Sequence, residues 1–172
     1  MNRFILSLVV LWTAICPADP LASAGGNPPA AGTSAQDCLA VVVNKSNPVT
    51  DLSFADLRHV FLGEQTHWSG GHRITLVMRE EGQPERAAVL RLIYRMTEAD
   101  LNRYLLHASF RGDLRLEPKV LNSSLGVKRF VFNVPSAIGY LLGNETDETV
   151  KTIRIDGRLP GDDGYRLVVT RR

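Results

Sequence analysis

The sequence predicts an α/β domain, a three-layer sandwich in which a mixed, mainly parallel sheet is flanked by helices. Three observations predict it. Leu39-Ala40-Val41-Val42-Val43 is a continuous apolar run, the pattern of a strand buried on both faces. A second apolar run, Ile74–Met78, leads through a short polar loop into a helix beginning at Pro84. Further strands and helices then alternate to the end of the chain, which is the ordering of a sheet covered on both sides.

Length and composition narrow the class. A chain of 172 residues fits one domain with a substantial core, and 44% apolar with 22% charged residues argues against disorder. A net charge of +2, with Lys and Arg scattered apart from Arg171-Arg172, gives no field for nucleic acid. The first residues carry export chemistry: Arg3, the apolar run Phe4–Ile15, and Ala22-Ser23-Ala24 before Gly25. Residues 1–24 therefore read as a signal peptide for the periplasm, with a lipoprotein modified at Cys16 as the alternative. The apolar run is too short to span a membrane. Residues 25–36 (GGNPPAAGTSAQ) read as a flexible leader, and 37–172 as the folded domain. With the signal peptide removed, Cys38 is the remaining cysteine and reads as a small buried thiol beside a strand.

Within the domain, Asn44–Thr50 is turn chemistry. Ser53 opens a helix with Asp56 three residues on; Phe54, Leu57, Val60 and Phe61 share its apolar face, and Gly63 stops it. Gln65–Arg73 is a polar loop. Its His67 and His72 lack a cysteine or carboxylate at ligand spacing, so no metal is expected there. Val89, Leu92, Ile93 and Met96 mark the inner face of the helix that begins at Pro84. Thr97 caps the next helix, with Asp100 at its third position and Leu101, Tyr104, Leu105 and Ala108 inward. Leu114–Leu121 is an irregular or extended connection interrupted by Pro118. Ser123 or Ser124 starts a helix burying Val127, Phe130 and Val131, which Pro135 ends. Ala137–Leu141 is a strand, Lys151–Ile155 another ending in an Asp156-Gly157 turn, and Tyr165–Thr170 a last edge strand.

The chemistry concentrates in Ile74–Arg86. A strand, then Arg79, then a helix start is the arrangement of an anion cradle, because the first helical N–H groups point outward unpaired and Arg79 adds a planar charged fork. The alternative is an ordinary β–α connection with an exposed arginine. Glu80-Glu81 reads as solvated charge rather than an acid–base pair, and no nucleophile elbow, P-loop or dinucleotide fingerprint is present. No enzymatic activity and no cofactor are expected.

Two blocks resemble one family. Leu52, Leu57, Val60, Phe61, Gly63 and Trp68 match its L-x-x-x-x-L-x-x-I/V-F-x-G-x-x-x-x-W block, and Pro135-Ser136-Ala137-Ile138-Gly139-Tyr140 its P-G/S-A-I-G-Y block. Over roughly residues 39–157 the chain is similar to the substrate-binding proteins of phosphate ABC transporters. The resemblance implies the fold of one lobe of a type II periplasmic binding protein, and a chain with no room for a second lobe. It implies a small anion such as phosphate as ligand and an ABC permease or other envelope protein as partner.

It also places the ligand loop, R-x-x-x-S-G-T in the family, on Arg79 through Glu85. Arg79 is retained, but Gln83, Pro84 and Glu85 replace Ser-Gly-Thr. Pro84 removes an amide donor. Glu85 sets a negative charge where the anion would sit, a repulsion of about 1–4 kcal/mol depending on screening. Arg79 is then expected to pair with Glu85 or Glu81, and phosphate binding to be weak or absent. The resulting expectation is a periplasmic solute-binding-type protein with ligand candidates Arg79, Gln83 and Glu85. The alternative is an envelope interaction module that docks on a partner or dimerises.

Overall fold

The computed structural model describes residues 38–110 and 118–169. The expected signal peptide (1–24) and leader (25–36), with Cys16, and the first half of the Leu114–Leu121 connection lie outside these residues. β1 (Leu39–Val43) is buried along its whole length, as its unbroken apolar run requires. β2 (Asp51–Leu52) leads into α1 (Phe54–Phe61), where the Ser53 hydroxyl accepts from the Asp56 N–H and Gly63 (φ 74°) supplies the left-handed stop. β3 (Thr75–Arg79) follows, then α2 (Pro84–Val89).

The helix predicted to continue through Met96 does so differently. Leu90–Tyr94 widens into a π-helical turn that ends at Arg95 in the left-handed region (φ 56°). The widening shifts the buried positions: Leu90, Ile93 and Tyr94 face the core, while Leu92 and Met96 are half-buried. α3 (Glu98–Phe110) carries the expected Thr97–Asp100 cap. β4 (Lys119–Leu121), α4 (Ser124–Asn133, capped by Ser123), and β5 (Ala137–Leu142) come next. The predicted strand Lys151–Ile155 is two short ones, β6 (Lys151–Thr152) and β7 (Arg154–Ile155). Ile153 between them is fully buried and donates its N–H to Val41. The Asp156-Gly157 turn forms as expected, with φ of 51° and 77°. The predicted last strand reduces to one bridge, Cys38 to Val168.

The five-stranded sheet has the order β4-β3-β5-β1-β6. β3 is parallel to β4 and to β5, whereas β1 is antiparallel to both β5 and β6. Four strands therefore share one direction and β1 alone is reversed, giving the mixed, mainly parallel sheet that was expected. The period of two along β1 sorts its side chains. Leu39, Val41 and Val43 join Leu76, Met78, Ile138 and Tyr140 under α1, α2, the π turn and α3. Ala40 and Val42 join Val77, Ala137 and Leu141 under Val127 and Val131 of α4. These are the three layers. β2 and β7 form a separate parallel pair.

Candidate functional site: the arginine loop at the carboxyl edge of the sheet

The co-directional strands present their carboxyl ends at one edge, the position where open α/β sheets place ligand crevices. Arg79 ends β3, Leu121 ends β4 and Leu142 ends β5, with Arg79 and Leu121 directly paired. The backbone of Arg79 is held from two sides. Its N–H donates to the Tyr140 hydroxyl oxygen at 2.9 Å, and its carbonyl accepts from Arg86 Nη1 at 2.9 Å. Burial pushes the Tyr140 hydroxyl up to about 12, so it stays neutral there. Arg86 is itself anchored by Glu98 at the start of α3, with Nε 3.0 Å from both carboxylate oxygens and Nη2 in contact with Oε1. The hydrogen bond to Glu98 raises the guanidinium above its ordinary value, against an opposing effect of burial.

The Arg79 side chain turns inward. It is 4% exposed, Nη2 donates to Gln83 Oε1 at 3.2 Å, and Nε lies 3.9 Å from Glu85 Oε2. Glu85 is 3% exposed. The expectation of an ion pair to Glu81 or Glu85 resolves to Glu85, and Glu81 is exposed. The alternative of an exposed arginine does not hold. At 3.9 Å the pair attracts without a hydrogen bond, and Arg79 Nε and Nη1 and Glu85 Oε2 are buried without hydrogen-bond partners. Gln83 occupies the N-cap of α2 but gives the helix no side-chain cap, because its oxygen serves Arg79. Pro84 contributes no N–H at the helix start.

The three predicted site residues are thus brought together, with Glu85 facing the arginine. Reasoning from sequence missed Arg86, Glu98 and Tyr140 as the clamp on Arg79. Tyr140 was visible as the last residue of the Pro135–Tyr140 block. Nothing in the spacing of Arg86 and Glu98, twelve apart across a break in the helix, points to their pairing. Of the loop histidines, His67 engages Thr66 Oγ1 at 2.9 Å, and His72 lies beside a cavity at the opposite edge of the sheet.

A sheet with one reversed strand, helices on both faces and a buried arginine at the carboxyl end of β3 makes one α/β lobe with a charge at the edge where such sheets place ligands. The relatives point to a family. No family model matches the chain. Phosphate-binding protein PstS of Bacillus subtilis (strain 168) is 31% identical over 127 residues, covering 71% of this chain and 37% of that protein. An ABC-type phosphate transport receptor from Vibrio cholerae superposes with a TM-score of 0.59 at 26% identity, over 72% of this chain and 48% of that one. PstS from Borrelia burgdorferi shares the fold, with a TM-score of 0.59 at 14% identity over 76% and 54%. Over a stretch consistent with one lobe, the chain is similar to the phosphate ABC transporter substrate-binding proteins. It spans about half or less of the length of these relatives.

Proposed function

We propose that the protein is an exported, non-catalytic solute-binding-type protein whose arginine loop no longer holds phosphate tightly. The observation that carries this reading is Glu85, buried beside Arg79 with Oε2 3.9 Å from Nε. A carboxylate there supplies the negative charge that an anion would bring, and repels a second one. The N-terminal Arg3, Phe4–Ile15 and Ala22-Ser23-Ala24 support export. No helix among the described residues is long and apolar enough to cross a membrane. Calorimetric titration of the purified protein with phosphate, sulfate and small carboxylates tests the reading. No saturable phosphate binding in the micromolar range is expected. Micromolar affinity that disappears in Arg79→Ala would overturn it.

A second reading, an envelope interaction module, is favoured by α4. Leu125 and Phe132, seven residues apart, are 52% and 56% exposed and flank Lys128 and Arg129. Light scattering together with an envelope pull-down decides it: a dimer or a captured partner lost in Leu125→Ser/Phe132→Ser supports docking, and a monomer with no partner counts against it.

A further inference from the structure

α4 has two faces of different kinds. Val127 and Val131 are fully buried against the sheet, whereas Leu125 and Phe132 are more than half exposed. Leu125, Arg129 and Phe132 follow one another at helical spacing, so they form a single outward stripe. Between this stripe and the 147–149 loop lies a groove of about 220 Å³, lined by Leu125, Lys128, Arg129, Phe132, Asp147 and Thr149. That is smaller than the usual site for a free small molecule, and suits side chains projecting from a docked helix.

The charges lining the groove cancel except at one point. Lys128 Nζ lies 2.6 Å from Asp147 Oδ2, and Asp147 Oδ1 accepts from the Thr149 N–H at 2.9 Å, so these two ions neutralise each other. Arg129 is exposed, and among the described residues its guanidinium has no ion pair or hydrogen bond; its carbonyl accepts from Asn133. Glu148, within the loop, does not line the groove. An uncompensated cation between two apolar side chains is complemented by the order apolar, acidic, apolar. A second copy of α4 does not supply it. A two-fold axis along the helix sets Arg129 on Arg129, and one across it that pairs Leu125 with Phe132 crosses between 128 and 129, again bringing like charges together. An anionic lipid surface, being broad, would also meet the exposed carboxylates of Asp147 and Glu148 beside the groove. We propose that this face docks an amphipathic helix of another protein, one with a carboxylate between two apolar residues seven apart. The inference rests on the interaction-module reading and adds the chemistry of the partner.

The probe is a synthetic, fluorescently labelled helical peptide with leucines seven apart and two glutamates between them. Titrating the purified protein into it is expected to raise the fluorescence anisotropy saturably. Arg129→Gln should weaken binding about tenfold, the size of one charge-assisted contact. Leu125→Ser/Phe132→Ser should abolish it, and the same peptide with lysines in place of the glutamates should not bind. The proposal is overturned by the absence of a saturable change, by equal binding of the lysine peptide, or by binding that survives both Arg129→Gln and Leu125→Ser/Phe132→Ser. Two further results overturn it by naming another occupant. One is a dimer in sedimentation equilibrium that Leu125→Ser/Phe132→Ser loses; the other is adsorption to phosphatidylglycerol vesicles lost in the same variant. An envelope pull-down separates this proposal from the reading beneath it. A partner held through Leu125 and Phe132 but indifferent to Arg129→Gln removes the carboxylate and leaves the module, whereas no partner and no dimer removes the module itself. Circular-dichroism melting confirms that each variant is folded, and the lysine peptide decides without any variant.

Discussion

Glu85 concentrates the chemistry of the arginine loop in one side chain. It sits in the first turn of α2, where a carboxylate is favoured by the unpaired N–H groups, and it faces a buried guanidinium. Replacing it separates these two roles. Glu85→Thr removes the charge that opposes an anion and leaves Arg79 buried without its counter-charge. The variant is expected to be destabilised by about 3 kcal/mol, the scale of breaking a buried pair. It is also expected to gain at least tenfold in phosphate affinity, about 1.4 kcal/mol. Phosphate should then raise its melting temperature and leave the parent's unchanged, because a ligand stabilises only the state that binds it. Melting with and without phosphate reads both effects at once. Arg86 makes a complementary prediction. Its side chain bridges Glu98 and the Arg79 carbonyl, so Arg86→Ala leaves a carboxylate and a buried carbonyl without a donor. A loss of about 3 kcal/mol in urea denaturation is expected.

Among the elements, the contact between α4 and β5 depends on a missing side chain. A Cβ on Gly139 would lie 3.1 Å from Val127 Cγ1, 3.4 Å from Val77 Cβ and 3.5 Å from Val131 Cγ2. Gly139→Ala therefore overpacks the helix–sheet interface, and a cost of about 1–3 kcal/mol is expected, measured by the shift in urea midpoint. Elements with strong local signals were legible in the sequence. The Ser53–Asp56 and Thr97–Asp100 boxes, Gly63, Pro84 and the apolar run of β1 each act within a few residues, and each appears where its chemistry predicts. What was not legible depends on distant partners. The π turn at Leu90–Tyr94 keeps Tyr94 on the core, where its hydroxyl donates to the Phe61 carbonyl at 2.9 Å, and a 3.6-residue period does not foresee that. Three-residue β4 is defined by its pairing with β3, and Tyr165–Val169 packs by burial more than by strand pairing. In the candidate site, the proximity of Gln83 and Glu85 to Arg79 was readable, including the opposition of Glu85 to Arg79. The inward turn of Arg79 and the Tyr140–Arg86 clamp were not, since both follow from side chains contributed by other elements.

At the scale of the whole molecule, titratable groups bracket the pH range of stability. Asp156 accepts from the Phe54 N–H and pairs with Arg166, Asp147 accepts from Lys128, and Asp100 accepts from Thr97; each bond holds its carboxyl below the ordinary value. A lowered native value means stability present above the unfolded value, near 4, and lost as pH falls through the native one. These carboxylates are solvent-screened, so the acid loss is expected to be shallow. Tyr140, pushed up to about 12, and Tyr94 and Tyr165, also raised by burial, act in the opposite sense. Their contribution is present below the unfolded value, near 10, and is lost as pH rises beyond it. Urea midpoints measured across pH should show a plateau between about 4 and 10 with the steeper fall on the alkaline side.

The reversed strand has a consequence for how the chain reaches this state. β1 is the first described strand, yet Leu39 pairs with Leu142 and Val43 with Lys151, roughly a hundred residues later in synthesis. Until those residues arrive, LAVVV has neither edge paired nor face covered, and closing so long a loop before any pairing is gained slows the search. β1 lies between β5 and β6, so both of its edges are paired only after the last strand of the sheet has been made. A strand this sticky, exposed for so long, puts the protein in the hands of whatever holds its unfolded chain.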